Sequence, residues 1–224
     1  ILKSLKINSQ VLTWKGKKPV SNIQSLARSK RYELLFLKCK KLKISNLVLG
    51  HHIDDVIENF FLRMARGSGL KGLVSLGTNT QIENINLIRP LIEFDKRDLI
   101  FLSKFIFNFY VDDPTNDDIK FNRIKVRNLI KRFEDFGLDK KKFQLTIENL
   151  KKSDQSIKFY VEKNKKENSI FNYRKNELIL KDNFFDNSYE VIFRSLSDLI
   201  HLVGKKPNFV RGKKIENILN KIKE

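Results

Sequence analysis

The segment Asn46–Glu58, NLVLGHHIDDVIE, decides the fold of this chain. Its short apolar run ending in glycine predicts a buried strand over Asn46–Gly50. Apolar residues then recur at spacings of three and four, which predicts a helix with one buried face over Ile53–Ala65. Polar side chains therefore cluster where the strand ends and the helix begins. Because ligands of open parallel sheets bind beyond the carboxyl ends of the strands, we predict a functional site at this junction.

Five polar side chains occupy eight positions of the junction: His51, His52, Asp54, Asp55 and Glu58. Acidic residues favour helix N-termini because of the helix dipole, and a histidine can cap a helix, but those preferences explain only one or two of them. Asp55 and Glu58 are three residues apart and therefore share a helix face. The residues alone leave two interpretations open: carboxylates that hold Mg²⁺ beside a phosphate substrate, or carboxylates that bind an amine or guanidine by charge.

The elements around this junction alternate between strands and helices. That alternation predicts an α/β domain with a parallel sheet over residues 1–130. The other predicted elements of this domain are a helix over 21–43 capped by Ser21 with Gln24, a glycine-rich loop over Gly67–Gly77, a strand over Asn86–Arg89, a helix over Asp95–Phe107 and an acidic turn over Asp112–Asp118.

The character of the chain changes after about residue 130. Residues 131–224 are predicted to form a smaller, mainly helical domain. Its elements are a long helix over 140–166, a hairpin of Ser169–Tyr173 with Glu177–Lys181, and helices over Tyr189–Val203 and Ile215–Ile222.

Charge indicates a polyanionic partner. The net charge is +19, from 45 basic and 26 acidic side chains. Residues 1–50 carry twelve basic and one acidic side chain, residues 51–118 seven and eleven, and residues 119–175 seventeen and seven. Lysine enrichment is also typical of AT-rich coding, but such drift would spread lysines evenly rather than in two blocks. We therefore expect the basic blocks to bind nucleic acid.

Cysteine and hydropathy narrow the class of protein. A single cysteine, Cys39, excludes an internal disulfide and fits a reducing, cytoplasmic compartment. That cysteine and three histidines do not supply an evident zinc site, and we predict no protein-held metal. No apolar run reaches the roughly 18 residues that span a bilayer, so we expect no membrane association.

The motifs of the first domain resemble the tRNA(Ile)-lysidine synthetase family of the PP-loop ATP pyrophosphatase superfamily. The resemblance runs in one order from about residue 14 to 130. Its motifs are Trp14-Lys15-Gly16 with Pro19 and Gln24, Ala27-Arg28 with Arg31-Tyr32, His51-His52-x-Asp54-Asp55-x-x-Glu58, Leu62-Arg63, Arg66-Gly67-Ser68-Gly69 with Gly72-Leu73, Arg89-Pro90-Leu91, and Asp113-Pro114-Thr115-Asn116 with Phe121, Arg123 and Arg127.

The resemblance implies a Rossmann-like parallel sheet and an ATP- and Mg²⁺-dependent ligase. Such an enzyme attaches lysine to the anticodon wobble cytidine of tRNA(Ile) through an adenylated cytidine. By this resemblance Arg31 and His51 contact ATP or the base, Asp55 and Glu58 hold the incoming lysine, and Arg123 reaches the reacting phosphate or the tRNA. Further tRNA contacts are expected from Arg63, Arg66, Arg127, Lys140, Lys141, Lys142, Lys151 and Lys152. The partners would be tRNA(Ile) and lysine, and the resemblance allows a homodimer.

Two departures from the family pattern bear on activity. Val56 and Asn59 stand where the family usually has glutamine and threonine, which reads as a change on the helix surface. The family's glycine-rich Ser-Gly-Gly-x-Asp-Ser loop, which cradles pyrophosphate with backbone amides, does not occur in residues 1–224. We expect that loop to precede Ile1, and we expect the fragment to be inactive alone.

Two other functions remain open at the level of sequence. A tRNA thiolation enzyme of the same superfamily is the first, but such enzymes commonly use paired cysteines and this chain has one. A non-catalytic RNA-binding module is the second.

Overall fold

The chain forms two compact units in a computed structural model that describes residues 2–16, 23–111, 122–172, 174–204 and 210–223, without the side chains of Gln24, Asn122 and Lys223. The first unit comprises Ile1–Gly67 with Ser75–Gly137, and the second comprises Ser68–Val74 with Leu138–Glu224. The predicted domain boundary at 130/131 therefore falls inside the last helix of the first unit. The predicted Ser21–Gln24 cap, the acidic turn, and the motif residues Asp113–Asn116 and Phe121 lie outside the described residues.

A three-stranded sheet organises the first unit, with β1 (Asn46–Val48), β2 (Asn79–Ile82) and β3 (Ile85–Ile88) in the order β1-β3-β2. β1 and β3 are parallel, as predicted, with Val48 opposite Ile88. The prediction of a wholly parallel sheet was wrong, because β2 pairs antiparallel with β3. Its sequence NTQI lacks apolar alternation because this edge strand is mostly exposed, so the pattern gave no signal for it.

Four longer helices accompany the sheet: α1 (Ile23–Lys41), α2 (Ile53–Met64), α4 (Lys96–Phe107) and α5 (Asn122–Asp135). α1 contributes Cys39 to a buried cluster with Ile85 and Leu87, against which Tyr32, Phe36, Leu47 and Leu49 pack. α4 begins after Asp95, whose carboxylate accepts a hydrogen bond from the Arg97 amide at 2.8 Å. These helices were predicted within a few residues, except for α5.

α5 was not predicted because charged residues dominate its sequence, NRIKVRNLIKRFED. It nevertheless buries Ile124 and Ile130. It packs on α2, where the rings of Phe61 and Phe133 stack with their centroids 5.6 Å apart.

The second unit is mainly helical. Its elements are α3 (Leu70–Leu73), α6 (Lys140–Asn168), β4 (Ser169–Asn172), β5 (Glu177–Leu180), a 3-10 turn (Asp182–Phe185), α7 (Tyr189–Gly204) and α8 (Gly212–Lys223). β4 and β5 form the predicted antiparallel hairpin. α3 interrupts the predicted loop over Gly67–Gly77. The core comprises Phe184, Ile192, Leu196, Leu199, Ile215 and Leu219.

Candidate active site

The parallel pair of strands brings two polar residues to one edge of the sheet. The Leu49 amide donates to the Ile88 carbonyl at 2.8 Å, which continues the pairing one residue beyond the strands. His51 follows β1 and Arg89 follows β3 at this edge. The carboxyl edge of parallel strands is where ligands of α/β folds bind.

The first turn of α2 is anchored from two sides. The Ile53 amide donates to the Phe94 carbonyl at 3.1 Å. The Asp54 carboxylate accepts a hydrogen bond from the Lys96 amide at 3.1 Å. Asp54 thereby fixes the start of α2 against the segment that begins α4.

His52 lies between two carboxylates at the start of α2. Its Nδ1 is 3.3 Å from Asp54 Oδ2, its Nε2 is 3.5 Å from Asp55 Oδ2, and its amide donates to Asp55 Oδ2 at 3.1 Å. Burial alone would lower the pKa of His52, but the hydrogen bond to Asp54 and the charges of both carboxylates outweigh it and raise the pKa. His52 is therefore held as a cation that stabilises the helix start.

His51 has the opposite electrostatic setting. Burial lowers the pKa of this half-buried imidazole, and the guanidinium groups of Arg89, Arg28 and Arg123 lower it further, against the raising effect of Asp55. His51 is thus a neutral imidazole among three permanent cations. This cluster, which we call the arginine–histidine site, comprises His51, Arg28, Arg89 and Arg123.

Two members of this site were not among the predicted site residues. Arg89 is buried, and its Nη1 donates to the Gly77 carbonyl at 2.8 Å and to Thr80 Oγ1 at 2.9 Å. The Arg28 guanidinium lies over the Tyr32 ring, 5.4 Å from its centroid. Both arginines belong to motifs that carry the family resemblance, Ala27-Arg28 and Arg89-Pro90-Leu91, and that was the signal available in the sequence.

The predicted nucleotide contact Arg31 is exposed on α1, with its guanidinium 6.0 Å from the centroid of the Tyr32 ring. The charges that act on His51 include Arg28 rather than Arg31. The role of Arg31 stays a prediction.

Glu58 is buried and joined to α5. Its side chain is 3% exposed; Oε1 accepts a hydrogen bond from Arg127 Nε, and Oε2 is 4.0 Å from Arg123 Nε. Burial raises the pKa of Glu58, and this effect exceeds the lowering by Arg127. Burial likewise would lower the pKa of Arg127, but the bond to Glu58 raises it. The predicted lysine-binding role of Glu58 and the predicted tRNA-binding role of Arg127 both stay predictions.

Asp55 is the more accessible of the two predicted lysine ligands, with a side chain that is 15% exposed. It contacts His52 and acts by its charge on both His51 and Glu58. The structure therefore brings together four of the five predicted catalytic residues: His51, Asp55, Glu58 and Arg123.

The remaining predicted residues fall into two groups. In the first unit, Arg63 Nε donates to Asn59 Oδ1 at 3.3 Å and Arg66 is exposed just after α2. In the second unit, Lys141, Lys142 and Lys152 are exposed on α6, whereas Lys140 and Lys151 are half-buried.

The part of the chain that the structure describes contains no group of three histidine, cysteine, aspartate or glutamate side chains arranged to hold a metal ion. Within the same residues, no helix combines the length and the apolar character needed to cross a bilayer.

Comparison with known proteins identifies the family. The family model described as PP-loop domain matches residues 1–133. The chain is 34% identical over 152 residues to the tRNA(Ile)-lysidine synthase of Wolbachia sp. subsp. Brugia malayi (strain TRS), a match covering 68% of this chain and 35% of that protein. It is 39% identical over 134 residues to the synthase of that name from Orientia tsutsugamushi (strain Boryong), covering 58% and 30% respectively. The chain therefore belongs to the PP-loop family and, within it, to the group of the tRNA(Ile)-lysidine synthases.

The chain spans about a third of the length of these relatives, with 35% and 30% of their residues covered. The activity, substrates and partners of the whole protein are accordingly matters of proposal.

Proposed function

We propose that this chain carries part of the catalytic machinery of an enzyme that uses ATP to attach lysine to the wobble cytidine of tRNA(Ile). The observation that carries the proposal is the arginine–histidine site, directly beside the carboxylate of Asp55. We further propose that β1 and β3 belong to a larger Rossmann-like parallel sheet. In this account residues 1–130 form the nucleotide-binding catalytic part and residues 131–224 bind tRNA.

The cationic half of the site suits a nucleotide phosphate. Three guanidinium groups act on one imidazole, and burial reduces the solvent screening of their charges. Positioned cations stabilise the charge that develops when a phosphoryl group is transferred. Arg28, Arg89 and Arg123 would therefore hold the α-phosphate region of ATP or of the adenylated base.

The anionic half suits an amine. Asp55 is partly accessible and lies beside His51, so a lysine ammonium bound to Asp55 would be close to the activated base. Glu58 would add a second negative charge at the back of this pocket, once its bond to Arg127 is shared or exchanged.

The reaction would proceed in two steps. The cytosine carbonyl oxygen attacks the α-phosphorus of ATP, the bond to the β-phosphate oxygen breaks, and pyrophosphate leaves. The lysine amine, after losing a proton, attacks the adenylated carbon and AMP leaves with the former cytosine oxygen. His51 is suited to accept that proton, because its lowered pKa keeps the imidazole neutral.

Mg²⁺ is expected with ATP, but the described residues do not fit a protein-held metal. Asp54 and His52 are engaged with each other and Glu58 with Arg127. We assign no residue of this chain to Mg²⁺ and route no step through it.

Cysteine chemistry of the thiolation type finds little support in this chain. Cys39 is 5% exposed and packed within the cluster of α1, β1 and β3, away from the polar junction. A sulfur-transfer step would need a reactive, accessible thiol.

The test is a labelled-lysine assay on the whole protein with a tRNA(Ile) transcript and ATP. We expect ATP-dependent lysine incorporation, accompanied by release of pyrophosphate and AMP. A matched transcript with uridine at the wobble position should accept no lysine. Nucleotide cleavage without lysine on the RNA, or sulfur incorporation in its place, would refute the proposal.

A further inference from the structure

One face of α6 combines exposed lysines with an exposed aromatic ring. We call it the lysine–phenylalanine stripe; its residues are Lys141, Lys152, Phe159, Lys163 and Lys166, all exposed. Successive spacings of eleven, seven and four, with Lys166 seven beyond Phe159, place them on one side of the helix. At about 1.5 Å per residue, the stripe extends about 38 Å along α6.

The orientation of this face is fixed by the opposite side of α6. That side buries Ile147, Val161 and Asn164. Asn164 Nδ2 donates to the Phe184 carbonyl at 3.2 Å and lies 3.3 Å from Ser195 Oγ. Because buried polar bonds of this kind specify one packing arrangement, α6 cannot turn the stripe inward without breaking them.

The charge of α6 is unbalanced toward its exposed face. The helix contains nine lysines and four acidic residues. Two of those acids are paired away from the stripe, since Asp154 binds Arg194 and Glu162 binds Lys165 at 2.8 Å. In the described parts of the chain, no carboxylate lies within 4.0 Å of the ammonium groups of Lys141, Lys152, Lys163 or Lys166. These four charges are available to a polyanion.

Phe159 is the informative member of the stripe, because its side chain is 66% exposed between lysines. Its ring meets Tyr160 edge-on, with their centroids 5.5 Å apart, which leaves a face of the phenyl ring open to solvent. A lysine-flanked aromatic ring is the arrangement with which proteins bind single-stranded RNA, because cations hold the phosphates while an unpaired base stacks on the ring.

We propose that the stripe binds RNA along α6 and that Phe159 stacks on an unpaired base, with Lys152 on one side and Lys163 and Lys166 on the other holding phosphates. Where that RNA is tRNA, this inference rests on the proposed function. It predicts that an unpaired segment of the RNA, rather than a continuous duplex, lies against α6.

The experiment measures the affinity of the 224-residue chain, by fluorescence anisotropy, for two labelled RNAs with equal numbers of phosphates. One is a stem with an unpaired loop and the other is a fully paired duplex. Phe159→Ala and Phe159→Leu should weaken binding of the stem-loop by about 5- to 150-fold, because a stacked base is lost. Phe159→Tyr should retain the affinity. None of the three variants should change binding of the duplex.

Two matched controls isolate the stripe. Phe101→Ala removes a ring that is 71% exposed on α4 and should leave both affinities unchanged. Lys163→Gln with Lys166→Gln should weaken both RNAs and reduce the slope of log affinity against log salt by about 0.7–0.9 per phosphate contact. Lys213→Gln with Lys214→Gln on α8 should not change that slope.

Equal effects of Phe159→Ala on both RNAs, or no effect on either, would overturn the stacking proposal, as would loss of binding in Phe159→Tyr. The outcome is separable from the proposed function. A whole protein that shows the Phe159 effect but incorporates no lysine would refute the function alone, whereas lysine incorporation unaffected by Phe159→Ala at limiting tRNA would refute the stacking alone.

Discussion

Arg127 Nε on α5 donates to the buried carboxylate of Glu58 on α2, 69 residues earlier in the chain. This bond connects the helix that starts the candidate site with the helix that carries Arg123. Removing one partner of a buried ion pair is strongly destabilising, because the other charge is left without compensation in a poorly hydrated place.

We therefore expect Arg127→Met to destabilise the chain by about 3–5 kcal/mol. Arg123→Met should cost much less, because Arg123 Nε is 4.0 Å from the same carboxylate and its side chain is 35% exposed. Urea unfolding of the 224-residue chain measures both changes. The double variant Glu58→Met/Arg127→Met should recover part of the loss, and a double variant as unstable as the sum of the single ones would show that the pair does not act as a unit.

The arginine–histidine site makes a prediction about Arg28 and Arg31, which lie three residues apart on α1. The charge of Arg28 contributes to lowering the pKa of His51. Arg28→Gln should therefore move the pKa of His51 upward, toward its ordinary value of 6.5. Arg31→Gln is the matched control and should leave that pKa in place. Titration of the imidazole resonances by NMR gives both values, and a larger shift in the Arg31 variant would assign the site to the wrong arginine.

His52 predicts a pH dependence of stability. Its pKa is raised above 6.5 in the folded chain by Asp54 and Asp55, although burial opposes the shift. Folding therefore favours the protonated form, and the stabilising contribution is fully present below pH 6.5 and is lost as the pH rises through the raised folded value. His51 contributes with the opposite sign, because its pKa is lowered, so the comparison must be made with a variant of His52 alone.

His52→Asn is that variant, because asparagine can still cap the helix. The free energy of unfolding of the wild type should exceed that of the variant by more at about pH 6 than at about pH 8.5. Unfolding followed by circular dichroism at both pH values measures the difference. A difference that is constant, or that grows with pH, would mean that His52 is not held as a cation.

The junction of β1 and α2 could be predicted because its signals are local. Burial of a short strand and the periodicity of a helix are both written within thirteen consecutive residues, Asn46–Glu58. The spacing also predicted that Asp55 and Glu58 share a face. It could not predict that their surroundings differ, since the partner of Glu58 comes from a distant helix.

The elements that were missed have no local apolar pattern. β2 is an exposed edge strand of polar residues, and its antiparallel register is set by β3 rather than by its own sequence. α5 is rich in charge because two of its arginines face Glu58 instead of solvent alone. Arg28 and Arg89 were missed as site residues because only the fold places them around His51.

The central claim, that Asp55 receives the lysine amine beside an adenylated base, is tested most directly by Asp55→Asn in the whole protein. A two-stage assay measures pyrophosphate release from ATP in the presence of tRNA and then lysine incorporation. Losing a charge-assisted contact of a few kcal/mol should raise the Michaelis constant for lysine about a hundredfold or abolish transfer. Pyrophosphate release should continue, because that step uses the arginine–histidine site and not the amine pocket. Simultaneous collapse of both stages, or no change in either, would contradict the assignment.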